Sequence, residues 1–281
     1  MKKILIPTDF SENAMNAVNY AVSFFKYQKC EIFFLHAYAD ELYNATVLLS
    51  RELFEKHKEK MATETEKSLK ELSSAVREAF PNPRHTYHTL SVFGSLVDAA
   101  NDFINKENAD IVVMGTKGKT NNKALTFGSH TLQVLKYVQC PVLAIPHRYS
   151  YQPPKKMLFP TDYMLPYKRR ELKLVCEMAW SYRSEIHCLH ISDYKRLSLR
   201  QEDNKRFLED SMQKATLIFK TLPNGTRAKA IMDYIDQHKI EMLIMVNSRH
   251  SYMENMLYQS TIDKIGLNIE VPFLVMQNLI R

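Results

Sequence analysis

Gly115, Gly118 and the pair Gly128-Ser129 are spaced as G-x2-G-x9-G-S, between an apolar run and an amphipathic one. Ile111 to Met114 has the unbroken apolar character of a buried strand, and Gly115 stands where the chain leaves it. Glycine at such a junction permits positive φ and lets the backbone come close to a ligand. Backbone N–H groups there, backed by the partial positive charge at the start of the following helix, suit a phosphate. The pattern takes three of the six glycines in the chain, which argues against chance, although a purely structural turn would draw on the same residues.

Two other phosphate motifs fail on spacing. Gly118-Lys119-Thr120 ends like a Walker A loop, but that motif requires glycine where Val113 stands. The dinucleotide pattern G-x-G-x-x-G is also missing, because Gly115 and Gly118 are three apart and Thr120 and Asn121 follow. Catalytic signatures are weak too. Asp9 has no partner carboxylate that sequence can bring beside it, and Ser129 has no identifiable base, which leaves it a phosphate ligand or helix cap. His85-x2-His88 and the pair His187 and His190 supply too few converging ligands for a metal, since side chains three apart on a strand point to opposite faces.

The elements that position these residues follow from periodicity. Lys3–Ile6 reads as a short strand and Ser11 as an N-cap. Ala14, Ala17, Val18, Ala21, Val22 and Phe25 form one helical face. Glu31–His36 is a second strand, followed by a long charged helical segment from about residue 41 to Phe80, before Pro81. Then come a strand at Thr86–Val92, a helix at Ser95–Asn105, a strand at Asp110–Met114, a helix at Ser129–Val138 and a strand at Pro141–Ile145. Strands alternating with helices imply a parallel sheet covered on both faces. Ligands of such sheets sit at the carboxyl ends of the strands, at a topological switch point. Asp9 and Gly115 both follow strands and could reach one crevice, while Asp9 serves equally well as a turn or capping aspartate.

This plan occurs twice. Lys3-Ile-Leu-Ile-Pro-Thr-Asp9 returns as Lys156-Met-Leu-Phe-Pro-Thr-Asp162, Leu35-His36 as Leu189-His190, and Cys140-Pro141-Val142-Leu143 as Val271-Pro272-Phe273-Leu274. Internal duplication is the simplest account. Residues 147–155, with Pro153-Pro154, make a stiff linker. The second copy lacks the glycines. Aligned on Met242–Val246, Asn247 stands opposite Gly115, His250 opposite Gly118, and Ser260-Thr261 opposite Gly128-Ser129. Side chains there would crowd a phosphate, so this half reads as a degenerate scaffold.

Composition agrees with a globular chain of two domains. It has 281 residues, 45% hydrophobic and 25% charged. No apolar run approaches the roughly 18 residues of a membrane span, and Met1 to Pro7 reads as a strand rather than a signal segment. The expected location is the cytoplasm, with no membrane partner. The four cysteines have no C-x-x-C spacing and read as buried thiols. A formal charge of +7 favours anions, but the basic residues are dispersed and no aromatic nucleic-acid motif appears, so nucleic acid is not the expected partner.

The duplication, the strand ending Pro7-Thr8-Asp9, and the glycine pattern ahead of Cys140-Pro-Val-Leu-Ala-Ile-Pro146 occur together, and with them the chain resembles a tandem universal stress protein. The resemblance spans nearly the whole length and is specific in the first half. It implies an α/β fold of two tandem, doubly wound, five-stranded parallel-sheet domains: a nucleotide-binding domain at 1–146, the linker, and a degenerate domain at 156–281. It further implies ATP, with Mg²⁺ carried by its phosphates. By the match, Gly115, Gly118, Gly128 and Ser129 would hold phosphates, Pro7, Thr8 and Asp9 would face the adenosine end, and Ala37, just past the second strand, would offer a backbone contact to the base. Met114, at the strand end, belongs with them. The resemblance also implies pairing through the last strand, with the two repeats packed as a pseudo-dimer, and leaves a homodimer and a protein partner open. The leading expectation is an ATP-binding regulatory protein of stress response with nucleotide in the first half only. The alternative is a nucleotide-independent interaction protein whose glycine loop is structural.

Overall fold

The computed structural model describes the chain apart from residues 47–49, 117–127, 165–166, 195, 224–226, 248–268 and 278–281. The chain is α/β and divides into two compact units, up to Tyr151 and from Gln152 onward.

In unit 1 the described elements are β1 (Lys2–Pro7), α1 (Glu12–Phe24), β2 (Cys30–Ala37), α2 (Ala39–Thr46), α3 (Arg51–Ala79), β3 (His85–Val92), α4 (Leu96–Glu107), β4 (Ile111–Gly115), α5 (Ser129–Tyr137) and β5 (Val142–Ile145). The strands are parallel in the order β3-β2-β1-β4-β5. Ile4, Leu5 and Ile6 are all fully buried. Successive strand residues face opposite sides, so both faces of β1 must be covered by helices. Each such side chain contributes roughly 1.5–3 kcal/mol of burial. Helix α1 packs on β4 and β5, α3 on β3 and β2, and α4 on β2 and β1. The predicted α1 face is buried throughout, and Ser11 caps the helix, its hydroxyl accepting from the Ala14 N–H at 3.2 Å.

Two local expectations require correction. The charged segment expected from about residue 41 to Phe80 forms two helices, with Ser50 at the N-cap position of α3 in extended conformation. Ala37, expected just beyond the second strand, is the last residue of β2.

In unit 2 the described elements are β6 (Lys156–Pro160), α6 (Arg169–Tyr182), β7 (Glu185–Ile191), α7 (Leu199–Ser211), β8 (Thr216–Leu222), α8 (Arg227–His238), β9 (Met242–Asn247) and β10 (Phe273–Gln277). Its strands are also parallel, in the order β10-β9-β6-β7-β8. That is the arrangement of unit 1 read from its other edge. The chain leaving α4 and α8 turns through left-handed residues, Asn108 at φ 54° and Lys239 at φ 54°. The next residues return to the sheet through matching bonds: Asp110 N–H donates to the Lys3 carbonyl, and Glu241 N–H to the Lys156 carbonyl.

Candidate functional site

The strand order of unit 1 reverses between β1 and β4, and the two chain segments leaving these strands diverge there. Such a divergence opens a crevice at the carboxyl ends of the strands. Beyond β1 the backbone is tied by a compact set of bonds. Thr8 N–H donates to the Leu35 carbonyl at 2.8 Å, the Thr8 hydroxyl oxygen accepts from Phe10 N–H at 3.0 Å, and Asp9 Oδ1 accepts from Ser11 N–H at 3.1 Å. Phe10 sits between them at φ 60°, a conformation that costs an L-residue on the order of 1–3 kcal/mol and that the bonds on either side offset. Buried His36 completes the turn. Its Nδ1–H donates to the Thr8 carbonyl at 2.7 Å, and its ring lies 5.0 Å from that of Phe10.

The end of β4 shows a different use of glycine from the one expected. Gly115 lies in the strand and Gly128 has φ −67° and ψ 162°; no described glycine has positive φ. What Gly115 provides is proximity to protein. A Cβ at this position would lie 2.9 Å from the Asn13 carbonyl oxygen and 3.2 Å from its carbon. The start of α1 is held against this strand end by Asn13, whose side chain bonds His147, and by Asn16, whose amide donates to the Pro146 carbonyl at 3.2 Å.

The chain then arrives at α5 through Gly128 N–H, which donates to the Thr116 carbonyl at 2.8 Å, while the Thr131 hydroxyl donates to the Gly115 carbonyl at 3.0 Å. Gly128 offers no capping side chain and the first turn of α5 has no acidic residue. Among the described residues no side chain caps the positive end of this helix.

These segments enclose a cavity of about 330 Å³. Its lining brings together Pro7, Thr8, Asp9, Ala37, Met114, Gly115, Gly128 and Ser129. Gly118 lies outside the described residues, as do Lys117, Lys119 and Lys123. The structure adds His36, Asp40, Glu41, Asn44, His130 and Thr131 to the wall. Only His36 carried a signal in the sequence, through the repeated Leu-His pair. The first turn of α2 presents carboxylates: Glu41 Oε1 lies 3.8 Å from His36 Nε2, and Asp40 Oδ2 lies 3.2 Å from His130 Nε2.

Unit 2 repeats the turn. Thr161 N–H donates to the Leu189 carbonyl at 2.9 Å, Tyr163 N–H to the Thr161 hydroxyl at 3.0 Å, and Met164 N–H to Asp162 Oδ1 at 2.9 Å. Tyr163 has φ 55°, and His190 Nδ1–H donates to the Thr161 carbonyl at 3.1 Å. Over this turn lies α7, whose Gln201 donates to the Asp162 carbonyl at 2.8 Å and Asn204 to the Tyr163 carbonyl at 2.7 Å. Asn247 is paired with Gln277 in the register in which Gly115 is paired with Ile145. Its buried side-chain amide donates to Gln277 Oε1 at 2.7 Å. His250 and Ser260-Thr261 lie outside the described residues.

The remaining histidines considered for metal have structural contacts. His85 Nε2 lies 3.1 Å from the Phe25 carbonyl, His88 stacks on Phe33 with centroids 4.7 Å apart, and His187 Nδ1 lies 2.8 Å from the Tyr234 hydroxyl. Among the described residues no three His, Cys, Asp or Glu side chains converge as a metal site, and no helix is long and apolar enough to cross a membrane.

With this geometry in hand, comparison with known proteins is specific. The model of the universal stress protein family matches residues 1–146. One universal stress protein of Methanocaldococcus jannaschii is 29% identical over 144 residues, covering 51% of this chain and 81% of its own. A second from the same organism is 29% identical over 157 residues, covering 53% of this chain and 97% of its own. The crystal structure of a universal stress protein from Archaeoglobus fulgidus superposes with a TM-score of 0.70 at 20% identity, over 98% of this chain and 96% of that one. At that identity the likeness concerns the fold.

Proposed function

The chain belongs to the universal stress protein family, and on that premise we propose that it is an ATP-binding regulatory protein whose nucleotide is held by unit 1. The observation that carries this reading is convergence. Eight residues from four separate stretches of sequence line one cavity at the strand carboxyl ends, and its volume falls within the roughly 300–1,000 Å³ usual for small-molecule sites. In this reading Gly115, Gly128 and Ser129, with Gly118, hold the phosphates beside the start of α5. Pro7, Thr8 and Asp9 face the adenosine end, and the backbone of Ala37 meets the base beside Met114. Mg²⁺ would arrive with ATP, held mainly by the phosphates. In this reading unit 2 is a scaffold or partner surface, supported by Asn247 standing in the register that Gly115 occupies in unit 1.

One observation favours the second reading, a nucleotide-independent interaction protein. Gly115 is already accounted for by its approach to Asn13, and Asp9 by its bond to Ser11. Neither residue requires a ligand to explain it. The two readings separate on release of small molecules from denatured, freshly purified protein, followed by calorimetric titration of ATP into the stripped chain. One ATP per chain supports the proposal. Two per chain refute the degeneracy of unit 2, and none favours the interaction protein. Gly118→Val and Gly128→Val should abolish binding with the fold intact.

A further inference from the structure

We propose that His130 is a phosphate-binding residue of the loaded cavity and that Asp40 is its resting partner, so that nucleotide loading draws a proton onto His130; this rests on the nucleotide reading above. His130 is the second residue of α5, lines the cavity, and is about half exposed, with a side-chain relative accessibility of 55%. Its Nε2 lies 3.2 Å from Asp40 Oδ2, joining the start of α5 to α2.

Charge balance in the cavity singles this residue out. The described titratable groups on its wall are three carboxylates and two imidazoles. Asp9 comes from the turn after β1, Asp40 and Glu41 from α2, His36 from β2 and His130 from α5. A polyphosphate entering such a wall meets like charge on several sides. His36 is committed to the turn, buried and bonded to the Thr8 carbonyl. His130 is therefore the described lining side chain able to bring positive charge to an anion at the start of α5. Lys117, Lys119 and Lys123 lie outside the described residues.

Imidazole is the side chain whose charge changes near neutral pH. A phosphate carries more negative charge than the lone carboxylate of Asp40 and makes a stronger charge-assisted bond to an imidazolium. The proton comes from solvent and stays on the ring. No covalent bond forms, and Asp40, itself 55% exposed, returns to water. An exposed pair of this kind costs little to break, so the exchange favours the phosphate. Affinity for ATP then rises as pH falls, and the Asp40 pair acts as a competitor that loading must displace.

The test is calorimetry of ATP into the stripped full chain at pH 6 and pH 8, each in two buffers of different ionisation enthalpy. Wild type is compared with His130→Gln, His130→Lys and Asp40→Asn, and urea midpoints establish that each variant is folded. Titration of the ATP γ-phosphate is common to all four proteins and drops out of the comparison. Wild type should lose about tenfold more affinity than His130→Gln between pH 6 and pH 8, in line with the loss of one charge-assisted bond. Proton uptake should be larger in wild type than in His130→Gln. His130→Lys should keep tight binding at pH 8, and Asp40→Asn should bind more tightly than wild type at both pH values. Equal pH dependence and equal proton uptake in wild type and His130→Gln overturn the inference and leave the nucleotide site standing. No ATP binding by wild type at either pH overturns both.

Discussion

Replacing Gly115 with alanine tests whether this glycine serves the protein or the ligand. The added Cβ would meet the Asn13 carbonyl oxygen at 2.9 Å, its carbon at 3.2 Å and the Asn13 Cβ at 3.4 Å. The first two atoms are main chain, so no rotamer change relieves the contact. Helix α1 must move away from β4 by a few tenths of an ångström. That motion is opposed by its buried face, which includes Ala17, Val18, Ala21 and Phe24, and by the anchors of Asn13 to His147 and Asn16 to Pro146. Overpacking of this kind costs about 1–3 kcal/mol. With a urea slope of about 1–3 kcal/mol per molar, the midpoint of unit 1 should fall by about 1 M. Two units need not unfold together, so the assay is urea unfolding read by hydrogen exchange of β1 and β4 peptides. Trp180, the single tryptophan, reports on unit 2. Gly128→Ala is the control, because its backbone angles are open to any L-residue and a glycine-to-alanine change at an N-cap costs under about 1 kcal/mol. If Gly115→Ala leaves the midpoint of unit 1 within about 0.2 M of wild type, the packing argument is wrong and the glycine is kept for another reason.

Three further outcomes are expected. His36→Ala removes the buried donor to the Thr8 carbonyl and should destabilise unit 1 by about 1–3 kcal/mol, measured as a drop in its urea midpoint. Burial holds the His187 imidazole below its usual range, with Glu185 partly offsetting this. The folded state thus binds fewer protons than the unfolded one, and unit 2 should lose stability as pH falls through about 6.5 towards the lower folded value. His187→Gln should flatten that slope, and an unchanged slope would assign it elsewhere. Burial pushes the thiols of Cys30 and Cys188 up to about 12, so neither should react with iodoacetamide at pH 8 in the native state, and mass spectrometry should find both labelled once urea unfolds the chain.

The strands were legible because β1, β2 and β4 are short apolar runs buried on both faces, and the start of α1 because Ser11 is a capping residue at the head of an apolar stripe. The break between α2 and α3 was not, since no glycine or proline separates the two charged segments and Ser50 is a weak signal by itself. The spacing of the glycines pointed to the cavity, although neither Gly115 nor Gly128 takes the positive φ expected at such a junction. Positive φ belongs to Phe10 and Tyr163 instead, bulky residues with no intrinsic preference for it, held there by the hydroxyl and carboxylate that precede them. The α2 wall of Asp40, Glu41 and Asn44 had no local pattern to announce it, because only tertiary packing brings that helix to the strand ends.

The recurrence of the threonine-aspartate turn means that each molecule carries its own reference channel. The amides of Phe10 and Tyr163 answer to the same kind of acceptor in the same backbone geometry, one beside an open cavity and the other beneath Gln201 and Asn204. Temperature and solvent should move the two amide signals together. A ligand of unit 1 should move one and spare the other, so their difference isolates occupancy without a second sample.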